Sequence, residues 1–172
     1  MSALLHFHRP TIPADLHRRV EAFLHYEAYL LDQARFEEWN ELFCEDGMYW
    51  MPLTFDQPDP IHHASLFYEN AMMREVRVRR LRQQHAWSQQ PRTHTARLVG
   101  NIIAQPSPEA GASLFVHSTF HLMEWRKGRD LRLLGGSYQH TLVERGESWR
   151  IKLKRVDLIS RDGPQEPLEI FA

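Results

Sequence analysis

The sequence predicts an α+β domain with helices packed on one face of a curved antiparallel sheet, and two observations carry that prediction. Apolar residues recur at helical spacing through the first half of the chain, and strand-like stretches separated by turn residues fill the second. With 172 residues, 42% hydrophobic and 25% charged, the chain has the size and composition of one domain with a real core. We expect an N-terminal arm over residues 1–12 and a single domain over 13–172.

Thr11-Ile12-Pro13-Ala14-Asp15 has the form of a helix start, with a hydroxyl cap and a proline in the first turn. Leu16, Val20, Phe23, Leu24, Leu30, Leu31 and Ala34 then build one apolar face, which predicts the first helix. Phe36, Trp39, Leu42 and Phe43 continue as a second, shorter helix ending near Asp46-Gly47, where glycine can turn left-handed. Residues 48–53, aromatic and broken by Pro52, predict an edge strand or the end of one. A proline-punctuated loop follows over 56–63, then a third helix from about 66 to 84, a stretch without glycine or proline.

Four successive antiparallel strands are expected at 95–104, 113–125, 131–143 and 148–159, divided by Pro-Ser-Pro, Lys-Gly-Arg-Asp and Arg-Gly-Glu turns. The last alternates imperfectly. Ile151, Leu153, Arg155, Asp157 and Ile159 share one side, and Lys152, Lys154, Val156 and Leu158 the other. A strand partly buried on both faces has this pattern, and so does one touching another subunit.

Lys and Arg number 21 against 22 Asp and Glu, a net charge of -1, so no general attraction to nucleic acid or to an anionic membrane exists. No apolar run approaches the ~20 residues of a membrane span, and the opening residues lack a signal peptide's apolar core. A cytoplasmic protein is expected. The single cysteine, Cys44, excludes an internal disulfide or a Cys-rich zinc site and reads as a buried, inert thiol.

The eleven histidines invite a metal reading that geometry mostly removes. His25-Tyr26-Glu27 matches half of a facial triad, but in a helix residues two apart point in nearly opposite directions. His6, His8, His62 and His63 read as surface histidines. His94, His117, His121 and His140 come from three successive strand regions, His117 and His121 sharing one, and convergence on a cavity floor stays open. The basic run 74–82 reads as a solvated or subunit-facing helix side, with Glu75 and Arg79 spaced to pair. Neither a nucleotide-binding glycine loop nor a G-x-S-x-G elbow is present. Tyr29, Asp32, Tyr49, His94 and His117 are candidates for an acid–base pocket between helices and sheet, Asp32 also reading as a helix-end solvating residue.

Taken in order, several segments resemble the small (beta) subunit of bacterial aromatic-ring-hydroxylating dioxygenases, the Rieske non-haem iron oxygenases. They are Glu27-Ala28-Tyr29-Leu30-Leu31-Asp32 with Phe36-Glu37-Glu38-Trp39, then Leu42-Phe43 and Asp46-Gly47-Met48-Tyr49-Trp50-Met51-Pro52. Arg77-Val78-Arg79-Arg80-Leu81, Ala86-Trp87-Ser88-Gln89-Gln90-Pro91, Thr93-His94-Thr95-Ala96-Arg97-Leu98-Val99-Gly100-Asn101 and Lys154-Arg155-Val156-Asp157-Leu158-Ile159 complete the series. The sequence departs from the family pattern at 93–97, which is more arginine-rich there, and at Gly100, where a serine-like residue is expected.

The resemblance implies a cystatin-like fold shared with nuclear transport factor 2, and an assembly of three alpha and three beta chains. It places a Rieske [2Fe-2S] cluster and a mononuclear Fe(II) in the alpha chain, with NAD(P)H electrons arriving through a reductase. On this reading the beta chain carries no cofactor, trimerises through beta–beta contacts and braces the alpha ring. Trp87, Arg97, Asn101 and Arg155 are then candidate interface residues, being contact-forming types. The rival is a stand-alone, cofactor-free isomerase or dehydratase on the same fold, using Asp32 or His94.

Overall fold

The computed structural model describes residues 12–82, 91–163, 168 and 170–172. Its first element, α1 (Ala14–Asp32), follows the apolar periodicity: Val20, Phe23, Leu24, Leu30 and Leu31 are buried. Pro13 stands at the N-cap without a side-chain cap, and Thr11 lies outside the described residues. The helix closes on Ala34, whose φ is 53°. The Ala34 amide donates to Leu31 O at 3.1 Å and the Arg35 amide to Leu30 O at 2.8 Å, the paired bonds that terminate a helix through a left-handed residue.

The short helix α2 (Phe36–Asn40) ends earlier than its apolar spacing predicts. Phe43 opens the strand β1 (Phe43–Pro52) because main-chain pairing takes over: the Ile151 amide donates to Leu42 O at 2.8 Å. Gly47 therefore sits within a strand, not at a left-handed helix end. Its lack of a side chain matters for space, since a Cβ there would lie 2.6 Å from Ile151 O.

A second correction concerns residues 65–69, which form the strand β2 (Ser65–Glu69). Phe67 and Tyr68 pair with Met51 and Trp50 of β1, and α3 (Ala71–Arg82) starts only afterwards. Asn70 sets that boundary, its Oδ1 accepting the Met73 amide at 3.0 Å.

The four expected strands are present as β3 (Thr93–Pro106), β4 (Leu114–Arg126), β5 (Arg132–Arg145) and β6 (Ser148–Leu158). They join one six-stranded sheet in the order β2-β1-β6-β5-β4-β3. Neighbours are antiparallel except β1 and β6, which run parallel, so the sheet is mixed where a wholly antiparallel one is predicted. The parallel pair brings α2 and β1 back onto the far side of the four-strand meander and closes the core around Trp39, which is fully buried.

The irregular pattern of β6 has its explanation in two coverings. Lys154, Val156 and Leu158 are buried on the helix side. On the other side Arg155 and Asp157 lie beneath the 53–64 loop, where Arg155 Nη1 donates to Gln57 O at 2.9 Å. Among the described residues no helix is long and apolar enough to cross a membrane.

Candidate functional site

Between α1 and the sheet lies a charged cluster in an otherwise apolar core. Glu27 occupies a buried position on the apolar face of α1. Its Oε1 accepts from Lys154 Nζ at 2.7 Å and from Trp39 Nε1 at 3.0 Å, and its Oε2 meets His140 Nε2 at 2.9 Å. A carboxylate only accepts, so His140 Nε2 is the donor in this contact. Burial pushes the Glu27 carboxyl up, but Lys154 and His140 outweigh it and hold it well below the usual carboxylate range. Burial lowers Lys154 in turn, with Glu27 opposing, and its ammonium rests 4.3 Å from the Tyr138 ring centre.

A second cluster closes the mouth of this interior. Asp32, the last residue of α1, accepts from Thr95 Oγ1 at 2.9 Å, from the Arg97 amide at 2.7 Å and from the Arg97 guanidinium. Arg97 also donates to Phe171 O. The Phe171 ring is fully buried, 4.4 Å from the Trp39 ring centre and 5.7 Å from that of Tyr49. Arg77 donates to Ile170 O at 3.4 Å, and Tyr49 Oη donates to Ala172 O at 3.2 Å. Residues 170–172 thus plug the end of the core, and the remaining slot beside Glu27, Tyr138 and Lys154, about 200 Å³, is too narrow to admit a water molecule.

The pocket candidates do not converge. Tyr29 is half exposed on the outer side of α1 beside Arg35. Asp32 is bound up with Arg97, and Tyr49 lies at the plug, its hydroxyl pushed up by burial. His94 stacks near Trp125 on the opposite face of the sheet. His117 lies on that face too, its imidazole pushed down by burial against the opposing pull of Asp157.

Of the interface candidates, Arg97 and Arg155 spend their guanidinium groups within the chain: Arg97 on Asp32, Arg155 on Asp157 at 2.8 and 2.9 Å. Their side chains are 2% and 11% exposed. Asn101 is exposed at a bulge in β3 with φ 52° and donates to Thr119 Oγ1 at 2.8 Å. Trp87 lies outside the described residues.

Sequence reasoning missed Glu27, Lys154 and His140 as a unit. The signal was present in α1, where Glu27 falls three and four residues from Leu24, Phe23, Leu30 and Leu31 and so belongs to the apolar face. Among the described residues no three His, Cys, Asp or Glu side chains gather, and a Rieske cluster takes two cysteines where the sequence has one.

The other face of the sheet is apolar and open. Leu98, Met123, Trp125, Leu133 and Ile159 are 46–72% exposed, on strands that place Leu98 opposite His121 and Met123 opposite Leu133. Isolated exposed apolar residues are ordinary, whereas a patch spread over neighbouring strands marks a surface that another molecule covers.

Residues 26–162 match the family described as ring hydroxylating beta subunit. The chain is 28% identical over 166 residues to the biphenyl 2,3-dioxygenase subunit beta of Rhodococcus jostii (strain RHA1), covering 90% of this chain and 88% of that one. In fold it is similar to the beta subunit of the benzoate 1,2-dioxygenase of Burkholderia mallei, with TM-score 0.68 and 24% identity over 87% and 93% of the two chains. A naphthalene 1,2-dioxygenase chain overlays with TM-score 0.83 at 19% identity, covering 98% of this chain and 91% of that one. With these matches the cystatin-like, nuclear transport factor 2-like architecture is in place, and the chain belongs to the family of ring-hydroxylating beta subunits.

Proposed function

We propose that this chain is the non-catalytic beta subunit of the terminal oxygenase of an aromatic-ring-hydroxylating dioxygenase, working in the cytoplasm to brace the larger alpha chain. The observation that carries the reading is the family match over residues 26–162, and the closed interior supports it. The space where this fold could hold a substrate is filled by the Glu27 cluster and by Phe171. The open apolar face of the sheet supports an assembled state, because burial in a complex removes an association liability.

In this reading the alpha chain supplies the Rieske [2Fe-2S] cluster and the mononuclear Fe(II), NAD(P)H electrons arrive through a reductase, and the aromatic ring gains both oxygen atoms as a cis-dihydrodiol. The assembly is an alpha3beta3 hexamer with beta–beta contacts. Asn101, exposed on the open face, and Trp87 remain contact candidates, whereas Arg97 and Arg155 act by holding the subunit's own shape.

The stand-alone isomerase or dehydratase is the weaker reading. Asp32 is saturated by Thr95 and Arg97, and His94 faces away from the interior. The test replaces His94 by alanine in the co-expressed oxygenase and assays both the complex and the isolated chain. Unchanged dihydrodiol formation by the complex, with no isomerase or dehydratase turnover by the chain, is expected. Turnover by the isolated chain that disappears with His94→Ala overturns the proposal.

A further inference from the structure

Residues 170–172 sit in the core as a ligand sits in a site. They lie beyond β6, in no helix or strand, and side chains from α2, β1, α3 and β3 hold them. The buried Phe171 ring occupies a box of Phe36, Trp39 and Tyr49, whose ring centres are 5.9, 4.4 and 5.7 Å away. The Arg77 guanidinium lies 4.6 Å from the centre of the same ring. The neighbouring carbonyl oxygens accept hydrogen bonds, Ile170 O from Arg77, Phe171 O from Arg97 and Ala172 O from Tyr49. An aromatic ring beside neutral acceptors is thus what this cleft recognises.

Its walls are held without the occupant. Trp39 is fixed by Glu27 and the Phe43 ring, Arg77 by Glu69 and the Phe67 ring, and Arg97 by Asp32 and Thr95. Tyr49 is fixed by the pairing of β1 with both β2 and β6. Withdrawing the tail therefore uncovers a cleft whose side chains keep their other partners, the condition for a concealed site that a ligand holds open.

Two donors in that interior are left unmet. Arg97 Nε and the Tyr138 hydroxyl are buried without a hydrogen-bond partner, and both residues line the narrow slot beside Glu27. The tail reaches Arg97 through Nη2 and satisfies neither. Buried donors without acceptors are costly, so an acceptor oxygen in the slot is favoured. Charge decides its kind. Arg97 is matched by Asp32, Arg77 by Glu69 and Lys154 by Glu27, and a carboxylate would add a buried charge with no counter-ion left to meet it.

We infer that residues 170–172 are an exchangeable plug over a concealed binding site, and that the site takes a small, neutral aromatic carbonyl compound. The ligand's ring replaces that of Phe171, and its carbonyl oxygen accepts from Arg97 and Tyr138. The inference concerns binding alone and does not rest on the subunit reading.

The experiment titrates the full wild-type chain and Phe171→Ala with acetophenone, cyclohexyl methyl ketone and benzoate by calorimetry, after circular dichroism has checked folding. Phe171→Ala is expected to bind acetophenone about ten-fold or more tighter than the wild type does, because the ring seat is vacated. The cyclohexyl ketone, which lacks the ring quadrupole, and benzoate, which brings a charge, should both bind more weakly than acetophenone. Adding Tyr138→Phe to Phe171→Ala should weaken acetophenone by about three- to ten-fold. A folded Phe171→Ala that binds none of the probes, or all three equally, overturns the assignment. Amide hydrogen exchange of the wild type tests the plug even where the variant fails to fold. The Phe171 amide should exchange faster than the amides of β4 and β5, and faster still with acetophenone present. Exchange as slow as that of β4 and β5, unchanged by acetophenone, overturns the inference.

Discussion

The two faces of the sheet differ in what they leave unfinished. Under α1 the core holds an acid, a lysine and a histidine in mutual contact, whereas the opposite face exposes Leu98, Met123, Trp125, Leu133 and Ile159. The covered face is closed chemically, with its charges spent on each other. The open face is unfinished physically, with apolar area left to water. The difference separates what the chain does for itself from what it needs a neighbour to complete.

The comparison breaks most sharply at Glu27. Glu27→Ala leaves Lys154 buried without its counter-ion, and a loss of about 3–5 kcal/mol is expected in urea unfolding of the isolated chain. The double replacement Glu27→Leu with Lys154→Met should recover much of that loss, since well-packed apolar residues can replace a buried pair. If the double variant is no better than the single, the cluster does more than fill the core.

The same carboxyl sets an acid limit. Its native pKa lies below the ordinary 4.5, so its contribution is complete above about pH 4.5 and fades as pH falls further toward the native value. Across a series from pH 6 to pH 3, unfolding free energy should hold to about pH 4.5 and decline below it, and Glu27→Leu/Lys154→Met should flatten the decline.

Next in size is Gly136 on β5, where a Cβ would lie 2.1 Å from Asp157 O. Gly136→Ala should cost about 1–3 kcal/mol by forcing β5 and β6 apart. The turn at Ala34 gives a smaller effect of opposite sign. Ala34→Gly relieves a left-handed backbone worth about 1–2 kcal/mol, less the entropy glycine loses on folding, so a gain of up to about 1 kcal/mol is expected in a thermal melt.

On the open face the expected effect on the isolated chain is smallest. Leu133→Asp should change its stability by less than about 0.5 kcal/mol while reducing assembly in size-exclusion chromatography. A large loss of chain stability would show that this face is completed within the chain itself.

Much of the fold was legible because its signals are local. The apolar spacing of α1 and the turns between the four long strands each state a backbone preference in a few residues. What escaped was settled by distant partners. Phe43 looks helical until Ile151 claims the neighbouring Leu42 carbonyl, and Phe67 reads as helix until β1 pairs with it. The parallel register of β1 against β6 joins segments about a hundred residues apart, which no short pattern records.

The charged cluster escaped for the same reason. Glu27, His140 and Lys154 carry no shared spacing, and only the β5–β6 register that sets His140 opposite Lys154 brings them under α1. Arg97 and Arg155 are contact-forming residues, as their type suggests, but their principal contacts, Asp32 and Asp157, are internal.

The central claim is that this chain completes an oxygenase and performs none of its chemistry. Native mass spectrometry with iron analysis tests it, applied to the chain alone and to the complex purified after co-expression with the large chain. The account predicts an iron-free chain when alone and a complex of three large and three small chains whose iron partitions wholly with the large one. An isolated chain that retains stoichiometric iron, or that forms no complex with the large chain, would contradict it.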